Sequence, residues 1–121
     1  TTVKRGLYVD DEPTERHVLN DRLTKAGYEV VASDNGEDAI LKAKTVKPDL
    51  ILMDVVMPGL NGFQATRAIS RDPATRSVPI ILCTSKTQET DKIWGMRQGA
   101  RDYIVKPVNR DELIAKIAAL G

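Results

Sequence analysis

The chain has 121 residues, a length that fits one compact domain, and its 18 Lys and Arg against 17 Asp and Glu give a net charge of +1. That balance excludes a bulk electrostatic attraction to nucleic acid or to an anionic membrane. The single cysteine, Cys83, excludes an internal disulfide, and no apolar run approaches the roughly 18 residues that suggest a membrane span. We therefore expect a cytoplasmic protein that binds no nucleic acid and does not insert into a membrane.

Short apolar runs and longer amphipathic stretches alternate along the first half of the chain. A strand over 7–9 is followed by a helix that opens near Pro13 and is closed by Gly27. A β-branched strand over 29–33 is followed by a helix that stops before Pro48. These two strand and helix pairs are typical of βα units.

The same alternation continues to the end of the chain. The run 50–53 is apolar on successive residues, which favours a central parallel strand covered on both faces. The remaining predicted elements are a helix over 63–70, a strand over 79–83, a helix over 88–98 closed by Gly99, a strand over 103–105 and a helix capped by Asn109. Five strands in strict alternation with five helices predict an α/β fold, a doubly wound five-stranded parallel sheet in a single domain.

Polar residues stand where four of the predicted strands end. The first strand ends in Asp10 and Asp11, the third in Asp54, the fourth in Thr84 and the fifth in Lys106. Ligands bind at the carboxyl ends of the strands in open α/β sheets, beside the point where strand order reverses. We therefore expect these five side chains to meet at one edge of the sheet.

Three carboxylates at one edge repel one another unless a cation offsets them. Oxygen ligands without His or Cys favour a hard ion, and Mg²⁺ fits better than Zn²⁺. The pattern favours phosphoryl transfer onto Asp54 as nucleophile, with Asp11 as a direct metal ligand and Asp10 holding metal-bound water. Lys106 and Thr84 would hold the phosphoryl oxygens. No residue of the set is an obvious base for hydrolysis, so the acyl phosphate should persist.

These residues also carry a family resemblance that covers essentially the whole chain. Its motifs are Asp10-Asp11-Glu12, Met53-Asp54-Val55-Val56-Met57-Pro58-Gly59, Thr84-Ser85-Lys86 and Lys106-Pro107. The chain resembles the receiver domains of response regulators, which have the flavodoxin-like, CheY-like (βα)5 fold. The resemblance implies one receiver domain over 1–121 with no output domain, acting as a binding switch and not as an enzyme with an external substrate.

The resemblance also assigns roles to single residues. Asp54 resembles the phosphoacceptor, and the backbone carbonyl of Val56 resembles a further ligand to Mg²⁺ beside Asp10, Asp11 and Asp54. Lys106 resembles the lysine that binds the phosphoryl group, and its bond to Pro107 is expected to be cis. Thr84 and Tyr103 resemble the switch pair, in which the aromatic ring turns inward when the hydroxyl moves toward the phosphate. The implied output surface is the fourth helix, fifth strand and fifth helix.

A narrower resemblance is to single-domain regulators of chemotaxis-like systems that control type IV pili and twitching motility. It rests on the segments 58–67, 88–95 and 97–103. The implied partners are a CheA-like histidine kinase as phosphodonor and a downstream protein target, with the chain a monomer or weak dimer. Trp94, on the predicted fourth helix, is a candidate partner contact.

Several other residues are expected to have structural roles and no part in the chemistry. We expect His17 to be a surface residue of the first helix and Cys83 a small buried hydrophobe. Gly6 and Tyr8 stand in the first strand where aliphatic residues are usual in this family, which puts the packing of that strand in doubt.

Two other functions remain open at this point. A phosphate sink, which drains its kinase and binds no target, has the same sequence pattern as a switch. A phosphohydrolase of the haloacid dehalogenase type also uses an Asp nucleophile, Mg²⁺ and a lysine. That class has a second Asp two residues after the nucleophile, and Val56 occupies this position here, which makes the enzyme interpretation the weaker one.

Overall fold

Strands and helices alternate along the chain in a computed structural model, which describes residues 4–55, 57, 59–84, 93, 96–106 and 108–120. The strands of these residues are β1 (Arg5–Val9), β2 (Glu29–Ser33), β3 (Leu50–Asp54), β4 (Ile80–Thr84) and β5 (Asp102–Val105). The helices with described bounds are α1 (Pro13–Lys25), α2 (Gly36–Thr45), α3 (Gly62–Arg71) and α4 (Arg110–Leu120), the last helix of the chain.

Local signals set the ends of these helices much as the sequence predicts. Glu12 caps α1 by accepting the backbone N–H of Glu15 at 2.8 Å, and Pro13 occupies the first turn, where a missing N–H costs nothing. Gly27 closes this helix with a φ of 99°, a conformation that favours glycine. Asn109 caps α4 by accepting the N–H of Glu112 at 2.9 Å.

The strands form one sheet among the described residues, in the order β2-β1-β3-β4-β5, with every neighbouring pair parallel. This is the flavodoxin-like strand order. Chain order reverses at β1, whose neighbours are β2 on one side and β3 on the other. The doubly wound parallel sheet predicted from the sequence is confirmed, and its crevice lies at the carboxyl ends of β1 and β3.

Helices cover both faces of the sheet. On the α2–α3 face, strand residues of odd number in β1 and β3 pack against α2 and α3; the buried members include Leu7, Val9, Ile51, Met53, Ala39, Ala43, Ala65 and Ile69. On the α1–α4 face, the alternate strand residues pack against α1 and α4; the buried members include Tyr8, Leu50, Leu52, Ile81, Cys83, Ile104, Leu19, Leu23, Leu113 and Ile117. The three central strands β1, β3 and β4 therefore bury both of their sides, as the unbroken apolar run of β3 predicts, whereas the edge strands β2 and β5 are only partly buried.

The predicted helix over 88–98 falls largely outside the described residues, although Ile93, Met96 and Arg97 are helical. Gly99, which the sequence places at its end, has a φ of 112°. No described helix combines the length and apolar character needed to cross a membrane.

Candidate functional site

Three carboxylates meet at the carboxyl edge of the sheet. One oxygen from each of Asp10, Asp11 and Asp54 lies within 4.8 Å of the others. Asp10 and Asp54 are 0% and 6% exposed, whereas Asp11 is exposed. Asp10 and Asp54 follow Tyr8 and Leu52 by two residues, and side chains two apart in a strand share a face. Both carboxylates therefore lie at the rim of the α1–α4 face.

Lys106 reaches this cluster from the end of β5. Its Nζ lies 3.0 Å from Oδ1 of Asp54, 3.3 Å from Oδ2 of Asp10 and 2.7 Å from Oε2 of Glu15. Burial favours the neutral amine, but the carboxylates of Glu15 and Asp54 outweigh it and raise the pKa of Lys106 above its usual value. The lysine is therefore a permanent cation among three acidic groups.

Asp54 differs from the other carboxylates in its electrostatic surroundings. Burial raises the pKa of Asp54 to about 6, and the charges of Asp10 and Asp11 act in the same direction, while Lys106 opposes them. Most of the population is ionised at neutral pH. The result is a desolvated but charged carboxylate, which is a suitable nucleophile.

Asp10 is held by more hydrogen bonds than its neighbours. Its Oδ2 accepts the hydroxyl of Tyr8 at 2.7 Å, and its Oδ1 accepts the backbone N–H of Glu12 at 3.0 Å. Burial raises the pKa of Asp10, but these hydrogen bonds and the charge of Lys106 outweigh it and hold the pKa below its usual range. The guanidinium of Arg16 donates to the backbone carbonyl of Asp10 at 2.7 Å. This carboxylate is therefore ionised and fixed in orientation.

Gly62 allows α3 to begin directly against the end of β3. The N–H of Gly62 donates to the carbonyl of Val55 at 3.0 Å. A Cβ at this position would collide with the carbonyl oxygen of Asp54 and would lie 2.8 Å from Cα of Val55. Gly62 thus supplies the close approach that positions Asp54, and Asn61 caps α3 by accepting the N–H of Gln64.

The remaining predicted site residues divide into two groups. Thr84 is buried at the end of β4, opposite Val105, and Tyr103 is half-buried and packs against the α2–α3 face. The Nζ of Lys116 lies 5.7 Å from the centre of the Tyr103 ring. Val56, Pro107 and Trp94 lie outside the described residues, and so do the predicted cis bond and partner contact.

The predictions for His17 and Cys83, neither of which is assigned a role in the site, are confirmed. His17 is exposed on α1. Cys83 is completely buried in β4, and burial raises the pKa of its thiol to about 12, so it remains a protonated thiol.

Within the part of the chain that the structure describes, the sequence patterns missed two residues that contact the site. Glu15 is the nearest carboxylate to Lys106, and Tyr8 bonds to Asp10. The signal for Tyr8 was present, because residues two apart in a strand point to the same face. Nothing in the local pattern distinguishes Glu15 from other exposed acids in the first turn of a helix.

A cavity of about 200 Å³ adjoins the cluster on the α1–α4 face. It lies between α1 and the segment after β5, and its walls include Glu15, Val18, Lys106 and Val108. Val18, which has helical spacing with the buried residues of α1, is 41% exposed because it borders this space.

The donor set fits a metal ion. Carboxylate oxygens within 4.8 Å of one another can share one hard cation, and Lys106 compensates only part of their charge. Asp10, Asp11 and Asp54 can therefore hold a metal ion at the end of the crevice.

Comparisons with known proteins agree with this geometry. The family model described as response regulator receiver domain matches residues 7–118. Protein PilH of Pseudomonas aeruginosa is 53% identical over 116 residues, which are 96% of this chain and 96% of that protein. The crystal structure of the chemotaxis protein CheY4 of Vibrio cholerae matches with a TM-score of 0.92 at 31% identity, covering 99% of this chain and 100% of that one.

A further solved structure bears on the acidic cluster. It is the receiver domain of a sensor histidine kinase from Pseudomonas aeruginosa, described with a magnesium ion coordinated in its active site cleft. It matches with a TM-score of 0.90 at 33% identity and covers 98% of each chain. The family match spans nearly all of the sequence, and the chain belongs to the response regulator receiver domain family.

Proposed function

We propose that this protein is a cytoplasmic, stand-alone response regulator, with one receiver domain over 1–121, that accepts a phosphoryl group on Asp54 in the presence of Mg²⁺. The observation that carries the proposal is the position of Asp54. Its carboxylate ends the central strand β3, lies 3.0 Å from Lys106 and shares the cluster with Asp10 and Asp11. Such a site combines a nucleophile with a fixed positive charge.

The chemistry follows from the residues in the crevice. An oxygen of Asp54 attacks the phosphorus of the donor, and the bond to the donor's leaving group breaks with its electron pair going to that group. The ammonium of Lys106 and the hydroxyl of Thr84 stabilise the negative charge on the equatorial oxygens. The product is an acyl phosphate on Asp54, and its slow hydrolysis returns the carboxylate.

Mg²⁺ is the metal that we propose for this site. Asp11 and Asp54 would be direct ligands together with the backbone carbonyl of Val56, and Asp10 would hold metal-bound water. When bound, Mg²⁺ neutralises charge on the transferring phosphoryl group. The preference of Mg²⁺ for few carboxylates and several waters fits the donors present, and the magnesium-bound relative supports it.

We further propose the partners and the output. The phosphodonor would be a CheA-like histidine kinase, and Thr84 and Tyr103 would transmit phosphorylation to a protein-binding surface made by the 88–98 segment, β5 and α4. The 53% identity to PilH and the segments 58–67, 88–95 and 97–103 support a role in pilus-based motility. The protein's own chemistry would be limited to its own phosphorylation and dephosphorylation.

Intact mass spectrometry after incubation with acetyl phosphate and Mg²⁺ tests the phosphoacceptor. We expect a gain of roughly 80 Da, the mass of one phosphoryl group, that requires Mg²⁺ and is lost in Asp54→Asn. Asp49→Asn is the matched control, because Asp49 accepts the N–H groups of Lys4 and Arg5 at the opposite edge of the sheet. A gain that persists in Asp54→Asn would refute the assignment.

Phosphotransfer from a purified, ³²P-labelled CheA-like kinase tests the proposed donor. The ³²P label should move from the kinase to the wild-type protein within seconds of mixing. It should stay on the kinase when the Asp54→Asn variant is added instead. If acetyl phosphate labels the protein efficiently but the kinase transfers no label, Asp54 stands as the phosphoacceptor and the CheA-like kinase is refuted as its donor.

A further inference from the structure

Tyr8 joins the packed core of the α1–α4 face to the acidic cluster. Its side chain is 2% exposed, and its ring packs among the buried residues of this face. Its hydroxyl donates to Oδ2 of Asp10 at 2.7 Å. A buried, charge-assisted hydrogen bond of this length is strong. Removal of the Tyr8 hydroxyl would deprive Oδ2 of the buried Asp10 carboxylate of this donor.

The hydrogen bonds of Asp10 leave little of its carboxylate for other ligands. A carboxylate has roughly four acceptor positions, two on each oxygen. Tyr8 and Lys106 both donate to Oδ2, and the N–H of Glu12 donates to Oδ1. Among the described residues, these contacts leave one acceptor position of the carboxylate, which is on Oδ1.

We propose that Tyr8 is a positioning residue for the cation site: its hydroxyl holds Oδ2 of Asp10, so that this carboxylate presents Oδ1 alone to a divalent cation or to its bound water. The inference rests on the proposed Mg²⁺ site. It makes the Tyr8 hydroxyl one of the groups that set the affinity of this site and its preference for Mg²⁺ over Ca²⁺. A carboxylate restricted to one oxygen suits Mg²⁺, which keeps several waters and requires octahedral geometry. It suits Ca²⁺ less well, because Ca²⁺ accepts bidentate carboxylates.

Tyr8→Phe removes the hydroxyl and keeps the ring in the core. We expect the dissociation constant for Mg²⁺ to rise about tenfold or more, as is usual when a partner of a metal ligand is lost. We expect the constant for Ca²⁺ to change less, so that the preference for Mg²⁺ over Ca²⁺ falls. Both constants can be measured by isothermal titration calorimetry at one pH and ionic strength.

Tyr28→Phe is the matched control. Tyr28 packs against the same face but precedes β2, at the opposite end of the sheet. Its substitution should leave both dissociation constants unchanged. Thermal unfolding in EDTA separates positioning from stability. A lower melting temperature for Tyr8→Phe with an unchanged Mg²⁺ constant would mean a merely structural role and would overturn the proposal.

Fluorine NMR of wild-type protein labelled with 3-fluorotyrosine gives a test that does not depend on the folding of Tyr8→Phe. The Tyr8 signal should shift as Mg²⁺ saturates the site, and the Tyr28 signal should stay in place. A Tyr8 signal that does not respond while Mg²⁺ binds would overturn the inference and leave the proposed function intact. A wild type that binds no Mg²⁺ would overturn both.

Discussion

On the α2–α3 face, helix α3 lies directly against the backbone at the end of β3, and small residues of α2 and α3 fill the interface. On the α1–α4 face, a cavity of about 200 Å³ adjoins Lys106, and a buried tyrosine donates to Asp10. A buried polar group on the first face, the Thr75 hydroxyl, donates to the carbonyl of Ile69 within its own face. On the second face, the buried polar groups of Tyr8 and Asp10 bond to each other at the acidic cluster. Close packing on one face thus holds Asp54 in place, while the other face supplies the groups that adjust its surroundings.

Gly62→Ala tests the packing on the α2–α3 face and should have the largest effect on stability. The new Cβ would collide with the carbonyl of Asp54, and this backbone cannot move without displacing the Asp54 carboxylate. We expect a loss of roughly 3 kcal/mol in the free energy of unfolding, measured by urea denaturation, together with slower labelling by acetyl phosphate. Stability equal to that of the wild type would mean that α3 does not hold the end of β3.

Asp54→Asn should stabilise the protein in the absence of metal. The pKa of Asp54 is raised from 3.8 to about 6, so its ionised form opposes folding at neutral pH. Neutralising it should add about 2–3 kcal/mol to the free energy of unfolding in EDTA at pH 7, since a rise of 2 pKa units, which already includes the attraction of Lys106, corresponds to about 3 kcal/mol.

The pH dependence of this gain gives its own check. The folded wild type takes up a proton on Asp54 more readily than the unfolded chain, so its stability rises as pH falls through 6. The advantage of Asp54→Asn should therefore be complete above pH 6 and vanish below about pH 3.8, the unfolded value. Saturating Mg²⁺ should stabilise the wild type and not the variant. A gain that is constant with pH would contradict the electrostatic explanation.

Gly6→Ala should give the smallest effect and the opposite sign to Gly62→Ala. Gly6 borders a void of about 10 Å³ on the α1–α4 face, and a Cβ there would come no closer than 4.0 Å to the carbonyl oxygen of Leu50. We expect a gain of about 0.5–1 kcal/mol, because glycine inside a strand costs conformational entropy. Chemical denaturation measures it, and Mg²⁺ affinity should not change. A destabilised variant would show that this face is packed more tightly than the void indicates.

The sequence predicts the fold well because its signals are local. Alternating apolar runs and amphipathic stretches, with Pro13, Gly27 and Asn109 at helix ends, give the elements their type and approximate bounds. The strand over 29–33 is predicted with its observed bounds, while β1 and α3 extend beyond the predicted residues. Extra strand residues such as Arg5 pair through the backbone, which leaves no clear hydrophobic signal in the sequence.

By itself the sequence determined the βα alternation and the placement of Asp10, Asp11, Asp54, Thr84 and Lys106 at the carboxyl ends of strands, because chain connectivity brings those ends to one edge of a parallel sheet. Only the tertiary structure decided that Glu15 pairs with Lys106 and that a cavity adjoins this pair. These contacts depend on how far side chains reach from one packed element to another. That reach is set by the packing of α1 on the sheet, and no local pattern of residues encodes it.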